Sequence, residues 1–498
     1  MYRKVDLPPT PPSQFELPFE GKLSQDNRWV IMANLIPWAE FEDEYAQNFV
    51  KEIGAPALPW RMALGSLIIK EKLGISDRET VEQIKENPYL QYFIGQTYYS
   101  NEAPYDPSLL VRFRERISVK LVKQINQIMV EKSQESSEEE AKKKSDSSPG
   151  EKTRERPNQG QLILDATCAP ADINYPHDLG LLNQARIKTE KIIDTLKKSG
   201  QVKKKPITYR NIARKDYLRV AKKRRQSRKE IRKAIKKQLQ YIKRNLSNIE
   251  AITQGGTGLE ALSNCQYKSL LVVAEVYRQQ SWMYENKTQR IDDRIVSLSQ
   301  PHIRPIVRGK AGTPVEFGAK LSVSLRDGYV FLDRISWDNF NESLDLKAQV
   351  EAYYKATGVF PESVHVDRIY RTRENRAFCK ERGIRISGPP LGRPPAYISK
   401  EKKKQAASDE KIRIAIEGKF GIAKRRFSLN RVMTKLQHTS ETAIAITFLV
   451  MNLSALLRQV FCLFFCLFSH LTTLFEGIIT KYYLRETYIQ EQVIFARI

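Results

Sequence analysis

The change of composition between residues 133 and 165 most strongly constrains how this chain can fold. Residues 133–160 are charged and serine-rich with no apolar period, which predicts a disordered linker. Leu162, Ile163 and Leu164 then form a short apolar run that predicts a buried strand, with Asp165 at its C-terminal end. Catalytic groups of α/β sheets usually collect at that end of a strand. We therefore expect separate folded parts on the two sides of the linker.

The part before the linker, residues 1–132, has the pattern of a helical domain. Apolar residues recur at helical spacing from Trp60 and stop at Gly74, a residue typical of helix ends. Ser76 or Asp77 can then cap the next helix, whose first turn is acidic. Short helices of this kind occur in DNA-binding domains, but packing for stability explains them equally well.

The part after the linker, residues 161–458, predicts an α/β domain interrupted after its first strand by a basic helical insertion, about 181–300. Within the insertion, an apolar stripe from Ile231 to Ile249 and a second apolar helix predict an antiparallel helical hairpin. Its cationic face is either a solvated surface or a surface that follows phosphates, and the density of Lys and Arg favours phosphate.

Strand and helix signals alternate after the insertion. Two alternating apolar runs flank Asp327 and Gly328, which predicts a β-hairpin. A helix from about Glu342 to Gly358 precedes a strand with Asp367 at its end. A further helix, a strand and the loop PPLGRPP lead to a lysine-rich helix that contains Glu417.

The charge balance predicts a polyanionic partner. The chain has 498 residues, a formal net charge of +26 and a pI near 9.7, so nucleic acid is the leading candidate. The five cysteines are scattered, which favours a reducing cytoplasm over a disulfide or zinc framework. Neither a phosphate-binding GxxxxGK[ST] loop nor a metal-ligand spacing of histidines is present in the sequence.

An apolar stretch near the C-terminus is the one membrane-like feature of the sequence. Asn452, Arg458 and Gln459 interrupt it, and the unbroken run from Val460 to Phe468 is much shorter than the roughly 20 residues that span a bilayer. We expect a buried or partner-facing helix rather than a membrane anchor, followed by an apolar tail over 459–498.

Glu417 stands out because it is an acid within a cationic helix. Arg413, Glu417 and Lys424 share one edge of the helix, beside the apolar face that includes Ile416 and Phe420. Taken alone, Arg413 and Glu417 fit an ordinary surface ion pair of about 0.3–0.5 kcal/mol.

Together with Asp165 and Asp367, Glu417 completes a set of three carboxylates that can converge on divalent metal. Mg²⁺ prefers oxygen ligands, and two ions can activate an attacking water or hydroxyl and stabilise the leaving oxygen of a phosphodiester. The cations around Glu417 would then hold DNA phosphates; they are Arg413, Lys424, Arg425 and Arg426.

Three blocks carry a resemblance to a known family: LILDATCAPADINYPHDLGLLNQAR, VHVDRIYRTRENRAFCKERGIRISGPPLGRPP and RIAIEGKFGIAKRRFSLNRVM. Together they resemble the DDE transposases of bacterial insertion sequences that have a helical N-terminal domain. The resemblance implies a ribonuclease H-like catalytic domain, with Asp165, Asp367 and Glu417 as catalytic and metal-binding residues. It also implies two Mg²⁺ or Mn²⁺ ions, DNA ends and target DNA as substrates, and a homo-oligomer acting at the bacterial nucleoid.

Many of these transposases carry the signature Tyr-x2-Arg-x3-Glu-x6-Lys around the third acid. Arg413, Glu417 and Lys424 match its last three places, whereas Glu410 occupies the place of the tyrosine. This departure leaves the triad intact and puts in doubt the substrate contact that the tyrosine makes.

Other interpretations of the sequence remain open at this stage. An inactive or binding-only relative would have the same fold and basic surfaces, whereas the strand-end acids count against a structural RNA-binding protein. Asp172 and Asp178 rank below Asp165, because acids in loops are usually solvated. Tyr370 is either a packing residue or a DNA contact.

Overall fold

A computed structural model describes residues 11–17, 21–49, 56–142, 157–198, 205–254, 258–307, 315–388 and 399–462. The chain divides into two compact units. The first unit comprises residues 1–154, 328–331 and 445–498, and the second comprises 155–327 and 332–444. The loop PPLGRPP and most of the expected apolar tail lie outside the described residues.

The first unit is helical at its N-terminal end. Its α-helices, numbered in chain order, are α1 (Arg28–Leu35), α2 (Glu42–Ala46), α3 (Trp60–Leu73), α4 (Asp77–Glu86), α5 (Pro88–Phe93), α6 (Leu109–Arg116) and α7 (Val119–Lys142). The expected end of α3 is confirmed, because Gly74 adopts a left-handed conformation with φ of 68°. The Ser76 side chain caps α4 by accepting a hydrogen bond from the Glu79 amide.

Helix α7 extends beyond the end expected for the helical domain. It continues to Lys142, whereas residues 133–160 were expected to be a disordered linker. The difference has a local cause, because Gln134, Glu135 and the Glu-Glu-Glu-Ala-Lys run at 138–142 are good helix formers. The absence of an apolar period therefore did not prevent helix formation there.

The described part of the interrupted apolar stretch, up to Cys462, lies in helix α15, Gln437–Cys462, which begins in the second unit and ends in the first. By length and composition it could cross a membrane, but 72% of its most apolar 18-residue segment is buried inside the protein. Asn452 explains why a polar residue interrupts the stretch: its amide exchanges hydrogen bonds with both backbone groups of Val330 and also bonds Asn126. These polar groups are satisfied within the protein, as expected of a core helix.

The described residues contain a mixed six-stranded sheet, which belongs to the second unit except for residues 329–331 of β4. Its strands are β1 (Gln161–Pro170), β2 (Arg304–Val307), β3 (Val315–Arg326), β4 (Tyr329–Ser336), β5 (Ser363–His365) and β6 (Arg385–Ile386). They lie in the order β2-β3-β1-β5-β6, and β4 also pairs with β3. Strand β1 is antiparallel to β3 and parallel to β5, so it occupies the centre of the sheet.

The expectation that Asp165 ends its strand is wrong. Strand β1 continues for five residues past Asp165, because its second half pairs with β3 from Asp165↔Val323 to Pro170↔Gly318. Asp165 therefore lies in the middle of the central strand. On the β5 side, however, pairing stops at Ile163↔His365, so Asp165 lies just beyond the end of the parallel ladder.

The expected hairpin at Asp327-Gly328 is confirmed. Both residues have positive φ, 48° and 84°, which is the conformation of the tight turn that matches strand twist. The turn joins β3 to β4.

The described residues of the basic insertion form four α-helices, so the expectation of a two-helix hairpin is wrong. They are α8 (Asp178–Lys198), α9 (Arg210–Ala221), α10 (Arg228–Gln254) and α11 (Asn264–Glu285). The expected apolar stripe of α10 packs on α8 and α11 through Leu239, Ile242 and Val273. Helix α8 was missed as a packing partner, although Leu181, Leu182 and Ala185 carry its apolar face.

The described residues of the second unit also include the helices α12 (Leu346–Thr357), α13 (Arg373–Glu381) and α14 (Lys400–Arg426). Helices α12 and α13 share a buried cluster with Leu162, Leu164 and Val364 of the sheet. Helix α14 packs on β1 and β5, and buries Ile416, Phe420 and Ala423 as its apolar face predicts. This packing brings α14 next to both strands that carry or precede an acid of the expected triad.

Candidate active site

An open cleft of about 960 Å³ in the second unit contains the three acids of the expected triad. Asp165 comes from β1, Asp367 follows β5, and Glu417 projects from α14. The other charged residues of its lining are Lys320, Glu342, Arg413 and Lys424. Three carboxylates that are far apart in sequence thus share one concave surface with three cations.

Asp165 is the most buried acid of the three. Burial raises the pKa of its carboxyl to about 6, and the charges of Glu342 and Asp367 act in the same direction. The Ala166 amide, which donates to Asp165 Oδ1 at 2.7 Å, and Arg413 act in the opposite direction. A carboxylate held in this way is stabilised by a bound cation.

Asp367 lies two residues beyond β5 and is exposed to the cleft. Its side chain caps a short 3-10 helix, Arg368–Tyr370, by accepting a hydrogen bond from the Arg368 amide at 2.6 Å. This local bond fixes the carboxylate at the strand end, as the sequence predicted for its position.

Glu417 lies on α14 with 51% of its side chain exposed, and it is paired with Arg413. Arg413 Nη1 donates to Glu417 Oε1 at 2.9 Å, one helical turn away. Glu410, which occupies the tyrosine place of the family signature, accepts two further hydrogen bonds from Arg413 at 2.6 and 3.1 Å. Arg413 therefore divides its N–H donors between two carboxylates. A DNA phosphate that binds Arg413, as the sequence predicts, would have to compete with both carboxylates for these donors.

The three remaining cations expected to bind DNA follow Glu417 at the end of α14. Lys424 lines the cleft beside Glu417. Arg425 and Arg426 are exposed on the last turn and are not part of the cleft lining. Lys424 is thus inside the cleft, whereas Arg425 and Arg426 lie on the adjoining surface.

Glu342 and Lys320 were not singled out from the sequence, yet both line the cleft. Lys320 Nζ lies 3.0 Å from Glu342 Oε2 and donates to the Phe340 carbonyl at 2.7 Å. Lys320 is in β3 and Glu342 begins a 3-10 turn after β4, so no short motif connects them. Their pairing depends on the sheet register, which the sequence pattern did not specify.

The less favoured acids are held by structural partners. Asp172 pairs with Arg431, and Asp178 pairs with Arg294 and also accepts a hydrogen bond from Gln280. Neither lines the cleft.

Tyr370 is buried in the cluster with Leu164 and Val366, so packing explains it and a surface DNA contact does not.

The donor chemistry of the cleft fits a hard divalent cation. Every ionisable acceptor in its lining is a carboxylate, and Mg²⁺ is commonly held by one or two carboxylates with water and substrate phosphate. Among the residues that the structure describes, no group of three Asp, Glu, His or Cys side chains is close enough to hold a metal ion by itself. Asp165 in β1 and Asp367 just after β5 are the two carboxylates that would hold the cation.

Two family models match the chain. The transposase DDE domain matches residues 364–454, which include Asp367 and Glu417, and the transposase domain (DUF772) matches residues 17–116 of the helical part. Asp165 lies between the two matched regions.

One curated protein is also similar, an uncharacterized protein, ORF8 in the nfe locus of Rhizobium meliloti. It is 35% identical over 102 residues, which is 20% of this chain. The chain spans about half the length of that relative, 49%. No solved structure matches the chain.

Proposed function

We propose that this chain, which its family matches support as a DDE transposase of insertion-sequence type, cuts the ends of a DNA element and joins them to target DNA. The observation that carries the proposal is the cleft itself. It brings together Asp165, Asp367 and Glu417, the three acids of the resemblance, from separate elements of the second unit.

We further propose that the second unit is a ribonuclease H-like catalytic domain and that its triad works with two Mg²⁺ or Mn²⁺ ions. When bound, the cations would supply charge stabilisation at the phosphodiester and lower the pKa of the attacking water or hydroxyl. The central position of β1 supports this assignment, because it sets Asp165 beside the end of β5 and under α14. The raised pKa of Asp165 gives the same site a reason to bind a cation.

The residues of the chain divide the remaining work. Lys424 would hold a phosphate within the cleft, and Arg425 and Arg426 would hold the flanking backbone. Arg413 would keep Glu417 oriented through the bond between them until the cation binds.

The basic insertion gives DNA a second surface. The turn between α9 and α10 and the start of α10 expose closely spaced cations; these are Lys222, Arg224 and Arg225 in the turn and Arg228 and Lys229 in α10. We propose that this turn follows DNA phosphates, which adds salt-dependent affinity without sequence preference. We also propose that the chain assembles on the DNA as a homo-oligomer and acts in the cytoplasm, at the nucleoid.

The test is Mg²⁺-dependent nicking of a DNA fragment that carries the ends of the element encoding this chain. We expect the wild type to nick the fragment and Glu417→Gln to lose nicking while still binding the ends. Glu410→Gln is the matched control, because Glu410 lies on the same helix and bonds the same arginine but is not part of the cleft lining. We expect it to retain nicking.

Three results would contradict the proposal. Equal loss in both variants would trace the effect to the ion pairs of Arg413 rather than to the triad. Nicking that survives in Glu417→Gln would remove Glu417 from the catalytic set. Binding of the ends without nicking by the wild type would favour a binding-only protein.

A further inference from the structure

The cleft contains a fourth carboxylate that lies outside the family triad. Glu342 begins the 3-10 turn Glu342–Leu344, and 17% of its side chain is exposed. Its Oε2 is held by Lys320 Nζ at 3.0 Å, and Lys320 in turn donates to the carbonyl of Phe340. Lys320, with 15% of its side chain exposed, thus fixes both the carboxylate and the loop that presents it.

One oxygen of Glu342 remains available. Among the residues that the structure describes, Glu342 Oε1 has no hydrogen-bond partner. Glu342 lines the open cleft, so this oxygen is accessible to water or to a ligand there.

The surroundings of Glu342 point to a positively charged ligand. Glu342 lines the same cleft as Asp165, Asp367 and Glu417, so four carboxylates share one concave surface. The hydroxyl of Tyr370 is fully buried, and within the described part of the chain it has no hydrogen-bond partner. Burial and then the charges of Glu342 and Asp165 raise the pKa of Tyr370, so its hydroxyl stays protonated as a neutral donor.

We propose that Glu342 supplies a further negative charge and acceptor oxygen to the divalent cation held by Asp165. This inference rests on the proposed function, because it concerns the same cation. Lys320 holds Oε2 of Glu342, and Oε1 would be the oxygen that is offered to the cation or to water around it. Outer carboxylates of metal sites typically change metal affinity by about 10- to 100-fold.

The test is direct titration of the purified full chain with Mn²⁺. Binding is measured from the decrease in the electron paramagnetic resonance signal of the free ion. It needs no DNA and no turnover. We expect Glu342→Gln to weaken Mn²⁺ binding about tenfold and Glu342→Asp, which keeps the charge, to weaken it less. Asp165→Asn should remove the binding, and Mg²⁺ should compete for the site in the wild type.

Asp345→Asn is the matched control for the loop. Asp345 follows the same 3-10 turn, is 14% exposed and pairs with Arg334 at 3.0 Å, but it does not line the cleft. We expect its Mn²⁺ affinity to stay within twofold of wild type. Circular dichroism of each metal-free variant establishes that it is folded before titration.

The outcomes separate this inference from the proposed function. If Asp165→Asn loses Mn²⁺ but Glu342→Gln binds it within twofold of wild type, the role of Glu342 is overturned and the triad stands. Equal weakening in Asp345→Asn would also overturn it, because the loop rather than the carboxylate would then matter. If Asp165→Asn binds like the wild type, the cation site of the proposed function fails first.

Discussion

Asp165 and Asp367 lie at equivalent places relative to the parallel pairing of β1 and β5. Pairing between β1 and β5 ends at Ile163↔His365, and each acid follows its paired residue by two positions. The positions of the two carboxylates are therefore fixed by one pair of strands, even though 201 residues, 166–366, lie between them in the sequence. The insertion and the hairpin leave this register intact.

The equivalence of the two aspartates predicts that they act as one unit. We expect Asp165→Asn and Asp367→Asn each to abolish nicking, and the double variant to be no worse than either, because removing one part of a joint site already removes its function. Asp172→Asn is the control, since Asp172 pairs with Arg431 outside the cleft. Residual activity that falls again in the double variant would show that the two acids act independently.

The burial of Asp165 predicts a pH-dependent change of stability. Its pKa is about 6 in the folded chain against an ordinary value of 3.8, so the folded state binds the proton more tightly than the unfolded state. Ionisation therefore lowers the free energy of unfolding as pH rises from about 4 to 6, and the full penalty remains above pH 6. Without divalent metal, Asp165→Asn should be more stable than wild type by roughly 1–3 kcal/mol at pH 8.

The measurement for this prediction is thermal unfolding of both proteins from pH 4 to pH 8 in the presence of a chelator. The advantage of Asp165→Asn should shrink towards pH 4, because the wild-type carboxyl is then protonated in the folded state and the cost of burying its charge is no longer paid. A difference between the two proteins that does not change with pH would contradict the assignment of the raised pKa.

Much of this arrangement was predictable from the sequence because local signals are strong there. The Ser76 cap, the Gly74 helix end and the Asp327-Gly328 turn each depend on a few neighbouring residues, and all three are confirmed. The apolar face of α14 was equally readable, since Ile416 and Phe420 recur at helical spacing.

The parts that depend on long-range pairing were not predictable. The length of β1 past Asp165 follows from its pairing with β3, and the sequence after Asp165 gives no sharp boundary. Glu342 and Lys320 meet only because β3 passes beside the loop after β4. Periodicity identifies the faces of elements, but it does not identify their neighbours.

Lys424 is predicted to contribute one phosphate contact within the cleft. Lys424→Ala should weaken binding of the element ends and lower the slope of log affinity against log salt by about one unit. Lys411→Ala, an exposed cation on the same helix outside the cleft lining, is the matched control for net charge. Binding measured by fluorescence anisotropy at several salt concentrations gives both slopes. Equal slopes for the two variants would remove Lys424 from the substrate surface.

Asp409 is predicted to anchor α14 on the sheet. It accepts two hydrogen bonds from Arg385 of β6, at 2.8 and 2.9 Å, and is 7% exposed. Burial acts to raise the pKa of Asp409, but the bonds from Arg385 and Gln405 outweigh it and the pKa is lowered. Asp409→Ala should therefore lower the free energy of unfolding by roughly 1–3 kcal/mol at pH 7.

Since the folded-state pKa of Asp409 is depressed, its contribution is present above the ordinary value of 3.8 and is lost as pH falls further. Urea unfolding of wild type and Asp409→Ala at pH 7 and near pH 3 measures the change. Glu401→Ala, an exposed acid on the same helix, should differ little from wild type at either pH. A stability loss that is the same at both pH values would assign the role of Asp409 to packing rather than to charge.

Asn452 is predicted to stabilise the first unit through hydrogen bonds rather than through apolar contact. Its Oδ1 accepts from the Val330 amide at 2.9 Å, while its Nδ2 donates to the Val330 carbonyl at 2.7 Å and to Asn126 Oδ1 at 3.0 Å. Asn452→Leu makes α15 more apolar, but it leaves the buried Val330 amide without this acceptor. It also removes the donor that bonds the Val330 carbonyl and Asn126 Oδ1. We expect it to lower the free energy of unfolding by roughly 2–4 kcal/mol.

The matched control for this variant is Gln437→Leu, which also replaces an amide by leucine on α15. Gln437 is exposed and bonds Glu441 at 3.1 Å, so the change should stay within about 0.5 kcal/mol of wild type. Urea unfolding followed by tryptophan fluorescence compares the two variants. If α15 were held by apolar contact alone, Asn452→Leu would stabilise the protein, because the substitution adds buried apolar surface. A gain in stability would therefore contradict the role given to the amide, whereas a loss would show that α15 is specified by its polar residue.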